Sequence, residues 1–309
     1  MEYRILGKTG LNVSVISYGA APLGSEYREI DEAEGIRSLH VALDLGVNFI
    51  DVSPYYGRTK AETLLGKGLA SVPRDKYYLA TKVGRYDIAG FDFSAERVVA
   101  SVDESLERMG VDYIDLIQCH DIEFGDLDVV VNETIPALRK VQEQGKVGFV
   151  GITGLPLKIF RYVMARIEVD TILSYCRYSL NDTALADLIP FLQEKKVGVI
   201  SASPLSMRLL TNRGAPDWHP AGDDIKETCA KAAKYCRQKG VDISQLGMQF
   251  ALSHSDIHTT LMGTANPENV KKNIAWIEQP IDHELLSEMN AILAPISNKT
   301  WLSGRPENN

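Results

Sequence analysis

A chain of 309 residues, 45% apolar and 24% charged, can bury a large α/β core and has the make-up of a soluble globular protein. Its net charge of −8 and pI near 5.4 argue against a basic nucleic-acid groove and against docking on an anionic membrane. Cys119, Cys176, Cys229 and Cys236 form no CxxC pair and are too few for a disulfide framework, so reduced, packed thiols in a cytoplasmic protein are expected. Met1 to Gly10 has no apolar core that would make it a signal peptide, and no apolar run reaches the roughly 18 residues of a membrane span.

From the amino end, Tyr3 to Gly10 alternates weakly around Gly7 and Gly10 and suggests a short hairpin; Val13 to Ala20 reads as a first strand. Asp31 can cap a helix to Leu45, with Ile36, Leu39, His40 and Leu43 on one face and Gly46 as the stop. The apolar run Val47 to Ile50 then reads as a buried strand. It ends in a carboxylate, Asp51, followed by Ser53-Pro54-Tyr55-Tyr56-Gly57.

The same strand-and-helix unit recurs. A helix over 60–69 precedes a strand over 77–83 ending Thr81-Lys82-Val83-Gly84, and a helix over 94–109 precedes a strand over 113–119 ending at His120-Asp121. Next come a helix over 127–144, a strand over 146–152 ending Thr153-Gly154, and a helix over 157–166. A strand over 170–174 runs into Tyr175, and a helix over 182–195 leads to a strand over 197–201 ending Ala202-Ser203-Pro204-Leu205. Helices over 224–239 and 244–253, a short strand over 260–262 ending Gly263-Thr264, and helices over 267–277 and 282–293 complete the pattern. A polar tail, 295–309, either folds over the structure or frays. Eight strands alternating with helices, without linkers, fit a closed (β/α)8 TIM barrel occupying residues 1–309 as one domain, and no GxGxxG follows the first strand.

In such a barrel the ends of successive strands share one rim, so Asp51 with Tyr55 and Tyr56, Lys82 and His120 become neighbours. A phenol titrates near about 10, too weak an acid for neutral pH unless an ammonium stabilises its phenolate. A carboxylate can keep that ammonium charged, and an imidazole N–H can polarise a carbonyl. This set moves protons to and from an oxygen, and needs no metal.

In this order the Asp51-x-x-x-x-Tyr56-Gly57 stretch, Lys82 after Thr81, and His120 after Tyr113-Ile114-Asp115-Leu116 resemble the aldo-keto reductase superfamily, over essentially the whole chain. The resemblance implies hydride transfer between a nicotinamide cofactor and a carbonyl/alcohol pair. Tyr56 would be the general acid/base, Lys82 would lower its pKa, Asp51 would pair with Lys82, His120 would orient the substrate, and Tyr55 would form a pocket wall. Gly90–Arg97, His120–Gly125, Gly151–Pro156 and Trp218–Ala221 are similar to plant-type sugar dehydrogenases of the superfamily. That implies oxidation of the anomeric hydroxyl of an aldose to a lactone, with L-galactose the first candidate and L-fucose or D-arabinose the alternatives. A cofactor-bound regulatory subunit is the competing class.

The same resemblance implies the cofactor contacts. Thr153-Gly154 stands where the superfamily usually has Ser-Asn, Tyr175 where it has Gln, and Ala202 where an aromatic stacks on the nicotinamide. Ser203 and Leu205 would reach the pyrophosphate through backbone N–H groups. The adenosine end would lie over Gly263, Thr264 and the helix starting at Pro267, whose dipole favours phosphate. Aligning on Pro267, Glu268 and Asn273 puts Gly263 and Asn269 where NADP-preferring relatives carry cations, which implies NAD, with Lys271 and Lys272 nearby. The sugar would meet Tyr55, His120, Trp218 and Trp301, with Tyr86, His219 and Arg305 as further lining candidates. Oligomeric state is not legible.

Overall fold

The computed structural model describes residues 1–25 and 29–309. Strands β1 (Tyr3–Ile5) and β2 (Asn12–Ser14) pair antiparallel. Strands β3 (Ile16–Gly19), β4 (Phe49–Asp51), β5 (Tyr78–Val83), β6 (Ile114–Cys119), β7 (Val147–Gly154), β8 (Thr171–Tyr175), β9 (Gly198–Ala202) and β10 (Thr259–Gly263) close into a barrel in that order, β10 pairing with both β9 and β3. Every pairing in the barrel is parallel. The eight-stranded expectation holds, but the first strand, expected over Val13–Ala20, is really two. Asn48 Oδ1 accepts the Ser14 N–H at 2.7 Å, and the Ser14 hydroxyl turns back to Ile16 O at 2.7 Å, so the chain leaves the hairpin there and enters the barrel one residue later.

The hairpin plugs the amino end of the barrel. Leu6 and Val13 pack with the inward-facing Phe49, Ala80, Leu116, Leu173, Ile200 and Leu261, all at most 7% exposed. A side chain at Gly7 (φ +54°) would sit 2.3 Å from the Gly198 backbone, so only glycine lets the plug approach β9. The outward residues of the same strands face the helix layer, where Ile50, Leu79, Ile117, Val150, Ile152 and Ile172 join the larger core.

Some of the helices begin at a side-chain cap, while others, such as Lys60–Leu69 and Asp223–Gln238, have none. Asp31, Ser94, Asp242 and Asp282 accept first-turn N–H groups of the helices Glu32–Asp44, Ala95–Met109, Ile243–Ala251 and His283–Leu293. The helix expected over 182–195 is instead a 3-10 turn, Ala184–Leu188, running into Ile189–Glu194, because Pro190 has no N–H to continue an α ladder and sits at the helix start. The stretch expected as one helix over 127–144 carries a π turn, Val130–Thr134, ahead of Ile135–Glu143; there the Thr134 hydroxyl leaves the helix to donate to Phe93 O. The tail is folded. Trp301 packs against His219, and Arg305 N and Asn308 Nδ2 donate to Glu123 O at 2.9 and 2.8 Å.

Candidate active site

Side chains alternate along each strand, so the inward positions above Phe49, Ala80 and Leu116 are Asp51, Lys82 and Gln118. These three form one buried polar layer. Lys82, 1% exposed, donates to an Asp51 carboxylate oxygen, to Val52 O at 2.9 Å and to the Tyr56 hydroxyl at 3.2 Å. An ammonium has three N–H donors, and all three are placed. Gln118 Nε2 donates to the other Asp51 oxygen at 2.8 Å. Burial pushes the Asp51 carboxyl above its ordinary range, while Lys82 and Gln118 pull it back.

Tyr56 reaches this layer from the loop after β4. Its N–H donates to Ser53 O at 3.1 Å, and Gly57 (φ +61°) lies so close to Gly24 that an added Cβ would sit 2.2 Å from Gly24 O. The loop is therefore clamped backbone to backbone against the turn Ala21–Gly24.

His120 follows β6 on the same inward register as Gln118. Its ring stands edge-on to Tyr56 and Tyr55, with centroids 5.6 and 5.9 Å away, and its Nδ1 is 2.9 Å from Ser53 Oγ. Burial, helped by Lys82 and Arg85, holds its pKa well below the usual imidazole value, so the ring is neutral at physiological pH. Next to it Asp121 adopts a left-handed backbone (φ +49°), receives the Thr153 hydroxyl at 3.2 Å and pairs with Arg85, whose guanidinium lies 3.9 Å over the Tyr55 ring.

Asp51, Tyr56, Lys82, His120 and Tyr55 are thus brought together. Thr153 and Tyr175 lie beside them with their hydroxyl hydrogens already spent, on Asp121 and on Glu123 (3.0 Å). Trp218 and Trp301 form a separate cluster around His219: Trp218, half exposed, stacks on it at 6.1 Å, and Trp301 meets its edge at 4.9 Å. Two residues on, Ser303 reaches Tyr175 and Glu123, which links that cluster to the rim. Glu123 is fully buried. Its Oε1 accepts from Leu155 N, Tyr175 and Ser303, its Oε2 has no partner among the described residues, and burial beside Asp121 lifts its pKa to about 8.

Sequence reasoning missed Ser53, Arg85, Gln118 and Glu123. Gln118 carried a signal, because it lies two residues before His120 on one strand face. Ser53 stands in the same relation to Asp51. Arg85 acts from a loop and Glu123 from the short 3-10 turn Ile122–Phe124, where no periodicity marks them.

The Aldo/keto reductase family profile matches residues 15–294. The chain belongs to the aldo/keto reductase family. It is 50% identical to L-galactose dehydrogenase of Arabidopsis thaliana, across 100% of this chain and 99% of that one. It is 30% identical to D-arabinose 1-dehydrogenase of Saccharomyces cerevisiae, across 96% and 95%. Its fold superposes on a holo-form aldo-keto reductase from Bacillus halodurans with a TM-score of 0.80, at 26% identity and covering 98% of each chain.

Membership of the aldo/keto reductases, with dehydrogenase relatives, implies a nicotinamide cofactor. The residues present fit one. The ends of β9, β10 and β3 carry Ala202, Gly263 and Gly19, with nothing beyond a Cβ, while the inward positions at the ends of β4 and β5 and just past β6 are Asp51, Lys82 and His120. An added Cβ at Gly263 would meet no atom closer than Pro22 at 3.8 Å, and one at Gly19 would make only ordinary contacts from 3.5 Å, so neither position is crowded by its neighbours, as close approach of a flat dinucleotide to the backbone requires. Beside it Ser203, Ser206, Met207 and Arg208 all hold positive φ, the stored strain typical of ligand loops. The first N–H groups of the helix Pro267–Ile277 are already engaged: Asn266 Oδ1 accepts from Glu268 N and Asn269 N at 2.9 and 3.1 Å. Thr264 is buried at the start of this turn, Asn269 exposed and Asn273 partly buried along the helix.

Proposed function

We propose that the protein is an NAD-dependent aldose 1-dehydrogenase that oxidises the anomeric hydroxyl of L-galactose to the lactone. The observation that carries this reading is the Lys82 ammonium, buried and divided between Asp51, Val52 O and the Tyr56 hydroxyl. The match to Arabidopsis L-galactose dehydrogenase supplies the sugar, and the yeast D-arabinose 1-dehydrogenase supports the aldose class.

A bound nicotinamide would accept the C1 hydrogen of the sugar as hydride. The chain's own residues handle the proton. Lys82 stabilises Tyr56 as phenolate, and Asp51, held in turn by Gln118, keeps Lys82 charged and aimed. Tyr56 takes the anomeric hydroxyl proton as the C1–O bond becomes a carbonyl. Neutral His120 orients that oxygen by a hydrogen bond, and Tyr55 with Arg85 walls the side of the mouth. The open seam at Gly19, Ala202 and Gly263 would hold the dinucleotide, with Ser203 and Leu205 along the pyrophosphate and Thr264, Asn269 and Asn273 toward the adenosine. Tyr175 would offer an acceptor lone pair to the carboxamide, and Thr153, buried and bonded both ways to Asp121, would hold the turn beneath it.

NAD rather than NADP follows from charge. Gly263 and Asn269 bring no cation, Glu268 holds Lys271 at 2.8 Å, and Lys272 lies against Asp242 at 3.5 Å and over Trp276. A 2′-phosphate without a cation forgoes charge-assisted hydrogen bonds of about 1.5–3 kcal/mol each. Burial lifts the Cys119, Cys176 and Cys229 thiols to about 12 and Cys236 to about 11; these inert thiols fit a cytoplasmic enzyme, and no helix among the described residues is long and apolar enough to cross a membrane.

The test is an aldose panel followed by dinucleotide absorbance with NAD and with NADP. Reduced NAD accumulating fastest with free L-galactose is the expected result. Dinucleotide binding without turnover on any aldose would overturn the enzyme reading, and kcat/KM tenfold higher with NADP would overturn the cofactor choice.

A further inference from the structure

The neutral imidazole of His120 carries one N–H, and its two nitrogens compete for it. Its own neighbourhood decides. Ser53 is fully buried and His120 is 4% exposed. The Ser53 oxygen accepts the Tyr55 backbone N–H at 3.1 Å and lies 2.9 Å from His120 Nδ1. If Nδ1 carried the hydrogen, Ser53 Oγ would accept twice and its own hydrogen would be buried with no acceptor among the described residues. If Nδ1 is bare, the Ser53 hydroxyl donates to it and every group in the chain Tyr55 N–H, Ser53 O–H, His120 Nδ1 is satisfied. The single ring hydrogen then sits on Nε2, on the side of the ring that faces Asp121, 3.7 Å away.

We propose that Ser53 is a positioning residue that fixes His120 as its Nε2–H tautomer, so that the ring hydrogen is kept off the Ser53 side and is available to the reacting oxygen. The inference rests on the functional reading of His120 above and adds to it the residue that sets the ring. One loop thus governs both groups that meet the reacting oxygen: it carries Tyr56 and, through Ser53, dictates where the hydrogen of His120 sits, although His120 itself follows β6. The low pKa of His120 supports this, because a protonated ring would donate from both nitrogens and turn the Ser53 hydroxyl away.

The test is long-range 1H–15N correlation NMR on full-length protein labelled in its 6 histidines, with His120→Gln used to assign the ring. The expected wild-type pattern is a bare, acceptor-type Nδ1 and a protonated Nε2. Ser53→Ala should shift the pattern toward a tautomer mixture and lower kcat by about 10- to 100-fold, with dinucleotide affinity unchanged. Ser53→Thr, which restores the hydroxyl, should recover the wild-type ring signature. A protonated Nδ1 in the wild type overturns the proposal without any variant needing to fold. So does a Ser53→Ala protein with an unchanged ring pattern. Full turnover by His120→Gln would instead remove the role of His120 on which the proposal rests, while leaving the ring assignment intact.

Discussion

The two halves of the barrel rim share a backbone and differ in almost everything else. At the ends of β4 and β5 and just past β6, inward positions carry Asp51, Lys82 and His120, each buried and each hydrogen-bonded to another residue of the rim. At the ends of β9, β10 and β3 the equivalent positions are Ala202, Gly263 and Gly19, which leave space. One half fixes charges where water cannot screen them, and the other carries no side chain beyond a Cβ, which on the proposed function is where a flat ligand would lie on the backbone. A (β/α)8 barrel allows this division because each strand end can be changed without altering the layers beneath it.

The sharpest way to break this picture is Tyr56→Phe. It removes one hydroxyl from the loaded half, so kcat should fall by roughly 10³-fold while dinucleotide Kd, measured by fluorescence titration, stays within about threefold of wild type. Parallel losses in both would mean that the halves are not separable. Lys82→Met comes next. It leaves Asp51 buried without its ion pair, and denaturant unfolding should show a loss of about 3–5 kcal/mol. Adding Asp51→Leu should restore much of that stability but none of the turnover, which separates the structural from the chemical role of the pair.

Glu123 belongs to neither half; it ties the tail to the rim between them. Its ordinary value is 4.5 and its folded value about 8. The folded state therefore binds the proton more tightly than the unfolded chain. Below the lower value both states are protonated and burial is not penalised; as pH rises through this window the folded state loses stability, and above the upper value the full penalty remains. Relative to Glu123→Gln, the wild type should lose a few kcal/mol across that window, at about 1.4 kcal/mol per pH unit. Parallel stability curves for the two proteins would show that the carboxyl is not held protonated. The mildest change is Gly263→Leu on the open half. Nothing crowds that position, so folding should be untouched while KM for the dinucleotide rises about tenfold, roughly 1.4 kcal/mol, and kcat changes little.

How legible each half was follows from the same contrast. Asp51, Lys82 and His120 each interrupt an apolar strand at its end, and a titratable group there stands out from residues chosen only for burial. The open half works by what it lacks, and a missing side chain leaves little trace in a sequence. Thr153 and Tyr175, read from the sequence as cofactor residues, also spend their hydroxyl hydrogens on Asp121 and Glu123, acceptors that no local spacing connects to them. The eight strands were legible because alternation with helices repeats. The hairpin boundary was not, because the side chains of Ser14 and Asn48 set it across 34 residues. The shortened helix after Asp182 could have been read from Pro190, whose missing N–H was in plain sight.

The central claim is that a phenol held against a buried ammonium exchanges the proton that must leave with the hydride. It is tested most directly by the pH dependence of kcat for L-galactose and for its C1-deuterated form, at saturating NAD. The isotope-sensitive rate should climb with pH through one ionisation and then level off, and Tyr56→Phe should lack that rise. An undiminished isotope effect on a rate that stays flat between about pH 6 and 10 would contradict it.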